Sequence, residues 1–291
     1  MSGLEPRLHA FRPEIADAKL MGKVDAKRFV EAISRRVVVP SAPLKRIPRP
    51  EASLDSEVLR GETFKVFEET GEGWSWGQLE TDGYVGYVPT AALGSLVPEP
   101  SHRVTALRTF VYPGPDNKLP VLSNLSIGSR IALATETERL GTRYLLFSGG
   151  TGAVIASHVA PLDEPGEADF VAVSERFLET PYLWGGRTSL GLDCSALVQL
   201  SLAACGRAAP RDTDLQESMV GEAVEGGISG TLARGDLVYW RGHVGILADR
   251  QRVVHASGAH MKVVSEPLGK ALKRIGRRFG VPTSVRRLTP L

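Results

Sequence analysis

From about Arg36 to Leu162, short Val-rich runs alternate with turns of Pro, Gly and acidic residues, and the pattern occurs twice, offset by about 66 residues. The first copy holds Val37 to Leu44, Leu59-Arg60-Gly61-Glu62, Trp74-Ser75-Trp76, Gly83-Tyr84-Val85-Gly86-Tyr87-Val88-Pro89 and Ala92-Leu93. The second holds Val104 to Pro113, Leu125-Ser126-Ile127-Gly128, Tyr144-Leu145-Leu146, Gly149 to Ile155 and Val159-Ala160. Runs this short, punctuated this often, leave no room for long helices. Each copy is expected to close into a small β-barrel, over residues 36–97 and 101–163.

The rest of the chain divides around that pair. A length of 291 residues suits two or three modest domains. A formal net charge of +2 argues against a nucleic-acid binder. Residues 1–35 read as a helical arm or linker, because Ile15, Leu20, Val24, Phe29 and Ile33 follow a helical spacing broken only by Gly22. The N-terminal segment has no apolar run long enough for a signal peptide, and no later stretch approaches a membrane span, so a cytoplasmic location without membrane insertion is expected. After the linker Asp163 to Glu167, a helix over residues 168–180 is expected to bury Phe170, Val171, Phe177 and Leu178, and it opens a last domain over residues 168–291.

In that domain the turn-rich segment Trp184-Gly185-Gly186 to Gly191 ends at Asp193, and a helix-forming run continues from Ser195 to a stop at Gly206. Cys194 therefore sits at a helix start. Unpaired N–H groups and the positive end of the helix dipole favour a thiolate there, and the same N–H groups suit an oxyanion. Asp193 is suited to cap the helix, held by backbone or by substrate. The alternative is a buried structural cysteine. The other cysteine, Cys205, lies too far along the same helix to bridge to Cys194 and reads as packing.

A base decides between these readings. Residues 235–258 carry two apolar runs around the polar turn Asp249-Arg250-Gln251, which reads as a β-hairpin. Folded about Arg250, the hairpin sets His255 opposite Gly245 with His243 as its diagonal neighbour on one face, roughly 7–8 Å away at backbone level. One imidazole can then meet Cys194 and the other can orient the first.

These residues resemble the NlpC/P60 cysteine peptidases of bacterial cell-wall metabolism. The matching blocks are Pro181-Tyr182 with Trp184-Gly185-Gly186, Asp193-Cys194-Ser195, Gly235-Asp236-Leu237, His243-Val244-Gly245-Ile246 and His255-Ala256. Ala196 departs from the Gly usual in the family. The resemblance implies an α+β, papain-like catalytic domain, with Cys194 as nucleophile, His243 as base, His255 as orienter and Tyr182 lining the site. The first repeat resembles bacterial SH3 domains, and the second does so more weakly, giving two SH3-like barrels ahead of the enzyme.

By the same resemblance the substrate is a murein stem peptide with a free N-terminal L-Ala, cut between γ-D-Glu and the diamino acid, with no cofactor or metal. The first barrel is expected either to space the enzyme or to wall its cleft. In the second case Tyr84 leads as the residue that meets the substrate amine, in an aromatic cluster with Trp76, and Glu57 and Glu62 are the candidate carboxylates. Asp193 and Ser195 are the catalytic-domain candidates for the same end of the substrate. Arg211, in the loop Pro210 to Thr213, meets a substrate carboxylate or is a solvated loop charge. The rival classes are a papain-like acyltransferase or amidase and a non-catalytic wall-binding protein. Three other patterns carry no chemistry. Gly149 to Gly152 lacks the lysine of a phosphate loop, His243, His255 and His260 lack the spacing of a zinc motif, and the basic run Lys270 to Arg278 reads as a solvated helix face.

Overall fold

A computed structural model describes residues 3–289, and the chain divides into two compact units, Met1–Glu164 and Pro165–Leu291. In the first unit a five-stranded sheet runs in the order Leu93–Gly94, Ile33–Val37, Thr63–Glu69, Trp74–Leu79, Val85–Pro89, beside the hairpin of Ser41–Leu44 with Ser56–Leu59. Alternate residues turn inward, and Leu44, Val58, Phe64, Leu79, Tyr84 and Val88 make one core. The second repeat follows the same plan. Its hairpin is Arg108–Val111 with Ser123–Ser126, and the short 3-10 turn of Thr90–Ala92 recurs at Ala156–His158. Its core is Val104, Val111, Leu125, Ile131, Leu133 and Val154. Arg130 N–H donates to the Arg60 carbonyl at 2.8 Å. Gly61 permits that approach: its φ is +83°, and a Cβ there would lie 2.0 Å from the Arg130 carbonyl oxygen.

The helical arm is corrected. Residues 14–33 form no α-helix; they contribute to a three-stranded sheet of Phe11–Arg12, Ile15–Asp17 and Phe29–Val30, with one 3-10 turn at Ala18–Leu20. The cause is tertiary. Ala10 and Ile15 bury themselves with Phe67 and Trp76 of the first barrel, and Val85 N–H donates to the Arg7 carbonyl at 2.9 Å. Docking on a barrel edge outweighs a weak helical period already broken at Gly22, whose φ is +77°.

The second unit is built on a six-stranded antiparallel sheet, in the order Glu222–Ala223, Ser284–Arg287, Leu237–Trp240, His243–Leu247, Arg252–Ser257, Lys262–Pro267. Its helices are α1 (Phe170–Arg176), α2 (Cys194–Ala204), α3 (Thr213–Met219) and α4 (Leu268–Phe279). Asp169 caps α1 through Val171 and Ala172 N–H. Phe177 and Val171 are buried as expected, but Leu178 is 40% exposed, because α1 ends at Arg176 before the helical period reaches it. α2 is mostly apolar and is buried from Cys194 to Leu202, with Gln199 bonded to Arg187 and the Ala209 carbonyl. α4 is amphipathic: Leu268, Ala271 and Ile275 belong to one core with Val238, Trp240, Leu247 and Val253 of the sheet, while Lys270, Lys273, Arg277 and Arg278 are exposed and Arg274 is half-buried. No helix among the described residues is long and apolar enough to cross a membrane.

Candidate active site

Cys194 opens α2, and Asp193 is its N-cap, accepting from Ala196 N–H at 2.9 Å. The second carboxylate oxygen accepts from Gly185 N–H at 3.0 Å, which ties the Gly-rich turn to the helix start. Arg211 completes the arrangement. Its two terminal nitrogens sit 3.0 and 2.7 Å from the two Asp193 oxygens, and one donates to Ser195 Oγ at 2.8 Å. Arg211 is 1% exposed and Asp193 7%. Both sequence readings of Arg211, a substrate contact and a solvated charge, are therefore corrected: it neutralises the capping carboxylate inside the protein. Gln216 on α3 donates from Nε2 to the Ser195 and Pro210 carbonyls, both at 2.9 Å, and so fixes the Arg211 loop against the same helix turn.

The thiol is 6% exposed. Burial and the neighbouring Asp193 carboxylate push it up to about 12, against the opposing pull of Val244 N–H, Arg211 and Ser195 N–H. The helix start thus holds a resting thiol, contrary to the sequence expectation, because burial and the Asp193 carboxylate outweigh the N–H donors and Arg211. Val244 N–H on the sulfur brings the start of the His243 strand to the head of α2. Tyr182 is half-buried nearby; burial and the adjacent Cys194 and Asp193 raise its hydroxyl, which therefore stays protonated.

The hairpin pairs Ile246 with Val254 and Leu247 with Val253, the register that folding about Arg250 requires. His243 Nε2 lies 2.8 Å from His255 Nδ1, and the rings meet edge-on at 79°. His255 Nε2 in turn lies 2.8 Å from Glu266 Oε1, on the neighbouring strand. Arg274 of α4 reaches the same oxygen. The His243 ring is flanked by Phe279, stacked at 6.0 Å and 13°, and by Trp240 at 5.7 Å. Burial, His255 and Arg274 push His243 down to about 3, with Glu266 opposing; burial likewise lowers His255. At neutral pH both imidazoles are neutral.

Neutral burial has a consequence for stability. Between an ordinary histidine value near 6.5 and the folded value, the unfolded chain binds a proton that native His243 does not, so stability rises with pH across that window and is lost on acidification through it. Each such histidine contributes a slope of up to about 1.4 kcal/mol per pH unit. The urea midpoint of the second unit is expected to fall between about pH 7 and about pH 5, and a His243→Gln, His255→Gln double variant is expected to flatten that fall. An unchanged pH slope in the double variant contradicts the assignment.

Glu266, Phe279 and Trp240 escaped the sequence reading, and the reading of Lys270 to Arg278 as a solvated helix face is corrected at Arg274, which turns in to Glu266 beside His255. One signal was available for Glu266. His255 pairs with Val264 in the next hairpin, so Glu266 is its diagonal neighbour on the same face. Extending the hairpin reading by one strand finds it. Arg274 and Phe279 come from a helix whose docking no local pattern specifies.

The residues of the first unit singled out for an amine are buried or half-buried within that unit. Tyr84 is 3% exposed within the core of the first barrel, and Glu62 is 2% exposed with its carboxylate accepting from Leu59 N–H at 2.7 Å. Trp76 is 4% exposed, against Phe67 at 5.6 Å and beneath the Arg12 guanidinium at 4.6 Å. These three are corrected to packing and turn-holding residues. Glu57 is half-buried, 3.5 Å from Ser41 Oγ. Cys205 caps the C-terminal end of α2 as a free, buried thiol. Among the described residues no group of three or more His, Cys, Asp or Glu is placed to hold a metal ion.

Comparison with known proteins bears on this geometry. Residues 179–274 match the NlpC/P60 family model, and residues 44–93 match the model of the bacterial dipeptidyl-peptidase Sh3 domain. A γ-D-glutamyl-L-lysine dipeptidyl-peptidase of Bacillus cereus is 25% identical over 245 residues, covering 74% of this chain and 71% of that protein. Dipeptidyl-peptidase 6 of Lysinibacillus sphaericus is 25% identical over 239 residues, covering 76% and 86%. The crystal structure of an NlpC/P60 family protein from Bacillus cereus shares the fold, with a TM-score of 0.72 at 20% identity over 89% of this chain and 100% of that one.

Proposed function

We propose, for a chain that carries a papain-like NlpC/P60 domain behind a bacterial SH3 domain, a cysteine peptidase that hydrolyses the γ-D-Glu–diamino acid bond of murein stem peptides with a free N-terminal L-Ala, in the recycling of cell-wall peptides. The observation that carries this reading is the buried line from the head of α2 to Glu266: Val244 N–H on the Cys194 sulfur, then His243, His255 and Glu266 linked at 2.8 Å each. Nδ1 is the ring nitrogen of His243 closest to the main chain, and the sulfur lies on the N–H of the very next residue. The base is therefore the sequence neighbour of the residue whose N–H meets the thiol.

With the thiol up and the imidazole down, the resting pair is neutral, and proton transfer accompanies attack. The Cys194 proton passes to His243 Nδ1 as the sulfur forms its bond to the γ-carbonyl carbon of D-Glu. The first-turn N–H groups of α2 receive the oxyanion, and imidazolium His243 returns the proton to the departing amine of the diamino acid. Water, deprotonated by the same nitrogen, then hydrolyses the thioester. The requirement for a free amine rests on relatives that are dipeptidyl-peptidases and on the dipeptidyl-peptidase type of the SH3 match.

Mass spectrometry of L-Ala-γ-D-Glu-meso-diaminopimelate incubated with the protein, beside an N-acetylated copy, tests both parts. The expected result is release of L-Ala-D-Glu from the free-amine peptide alone. Cleavage of both peptides removes the amine requirement and keeps the peptidase. Intact peptides with folded protein, or transfer of the acyl group to an added amine in preference to water, overturn the reading.

A further inference from the structure

We propose that Glu266 is a positioning residue that decides which nitrogen of His243 carries the proton, and that Arg274 sets how strongly it does so. The inference rests on the reading of Cys194 as nucleophile, and it concerns the two residues behind the histidine pair.

An ionised carboxylate only accepts, so the 2.8 Å contact between Glu266 Oε1 and His255 Nε2 requires the hydrogen to sit on Nε2. A neutral imidazole carries one N–H, which leaves His255 Nδ1 as an acceptor. That acceptor lies 2.8 Å from His243 Nε2, which must therefore donate. His243 Nδ1 is left with a bare lone pair, the state a base needs to take the thiol proton. The same two rings can run the other way, with His255 Nδ1–H donating to His243 Nε2. His243 then carries its hydrogen on Nδ1 and cannot accept from Cys194. Without an acceptor on the far side of His255, nothing in the pair itself chooses between the two orders. Glu266 chooses, two imidazoles away from the sulfur.

Arg274 tempers the choice. Its Nη2 donates to the same Oε1 of Glu266 and stands 3.4 Å from His255 Nε2, which carries its hydrogen toward Glu266 and does not accept from the guanidinium. Burial works to raise the Glu266 carboxyl, and the bond and charge of His255 together with Arg274 outweigh it, so the carboxylate stays ionised. The same guanidinium keeps that carboxylate from drawing His255 into a permanent imidazolium, which would cost the pair its acceptor. The groups that face His255 are Glu266 from one neighbouring strand, His243 from the other, Arg274 from α4 and His260 from the turn that follows. His243 is otherwise enclosed by the uncharged rings of Trp240 and Phe279. α4 thus sets the histidine pair both electrostatically and sterically, through Arg274 and Phe279.

The test uses the full chain with Glu266→Gln, Glu266→Ala and Arg274→Gln. Nitrogen-15 shifts of the two imidazoles at neutral pH report the tautomers directly, and they can be read in a Cys194→Ala background where no turnover is needed. The wild type is expected to show both rings neutral with Nε2–H. Glu266→Ala is expected to mix the tautomers of both rings and to lower kcat by about 100-fold, whereas Glu266→Gln keeps an acceptor for Nε2–H, retains the wild-type tautomer and loses about 10-fold. The acid limb of kcat/KM separates the two charges. Loss of the carboxylate charge in Glu266→Gln shifts the limb to lower pH, and loss of the guanidinium in Arg274→Gln shifts it to higher pH. Wild-type tautomers in Glu266→Ala, or limbs that move together or not at all, overturn the proposal. Because the tautomer readout is independent of activity, an enzyme that fails to cut murein peptides still tests Glu266, and an active enzyme with unmoved tautomers rejects Glu266 alone.

Discussion

Replacing Cys194 with Ala is expected to reduce hydrolysis of the γ-D-Glu–diamino acid bond by about 10⁵- to 10⁶-fold, to a residue of turnover supplied by binding and the helix N–H groups. The size follows from the chemistry. No other described nucleophile stands at the head of α2: Ser195 Oγ is held between Asp193 and the Arg211 guanidinium, at 3.2 and 2.8 Å, and is 5% exposed. The substitution removes one sulfur and leaves the Asp193 cap and the Arg211 pair in place, so the fold should be unchanged in circular dichroism and in urea. Activity within ten-fold of wild type would remove Cys194 from the mechanism.

The largest effect on stability is expected from Arg211→Ala. Its guanidinium and the Asp193 carboxylate are both buried and joined by two contacts of 3.0 and 2.7 Å. Truncating one member of such a pair leaves the other desolvated without its partner and costs about 3–5 kcal/mol. Asp193 would keep its N–H donors from Gly185 and Ala196, which places the loss toward the lower end of that range. The comparison that isolates the pair is a double variant, Asp193→Asn with Arg211→Met, in urea unfolding of the second unit. It should be less destabilised than Arg211→Ala, because no unpaired charge remains. A loss below about 1 kcal/mol in Arg211→Ala would show that the pair is solvated in solution.

What could be read in the sequence were the features that short-range rules specify. The Cys194 helix start was legible because a turn-rich run, a capping Asp and a Gly at the C-terminal stop bracket an apolar segment, and Gly206 indeed takes a φ of +73°. The histidine pair was legible because a hairpin's register follows from its turn. The strand-rich character of residues 36–162 was legible from its short Val-rich runs and frequent turns. The arm at residues 14–33 was not, because Ile15 is buried by docking on Phe67 and Trp76, which no local spacing encodes. Tyr84 invited a role in binding by its position in the segment Gly83-Tyr84-Val85-Gly86, yet it is buried in the core of the first repeat. The direction of the Cys194 shift was misjudged for a related reason. A helix dipole can be inferred from sequence, whereas the depth of burial that opposes it depends on what packs over the thiol. Glu266 and Arg274 show the same limit, since a carboxylate placed behind a histidine is visible only once the third strand and α4 are in position.

The most direct test of the central claim is the intact-protein mass after rapid acid quench of a reaction with excess L-Ala-γ-D-Glu-meso-diaminopimelate. The expected result is a species heavier than the enzyme by one L-Ala-γ-D-glutamyl acyl group, mapped by peptide fragmentation to Cys194 and absent from the Cys194→Ala variant. Turnover with no acyl-enzyme at any quench time, or an acyl group carried on another residue, would contradict it.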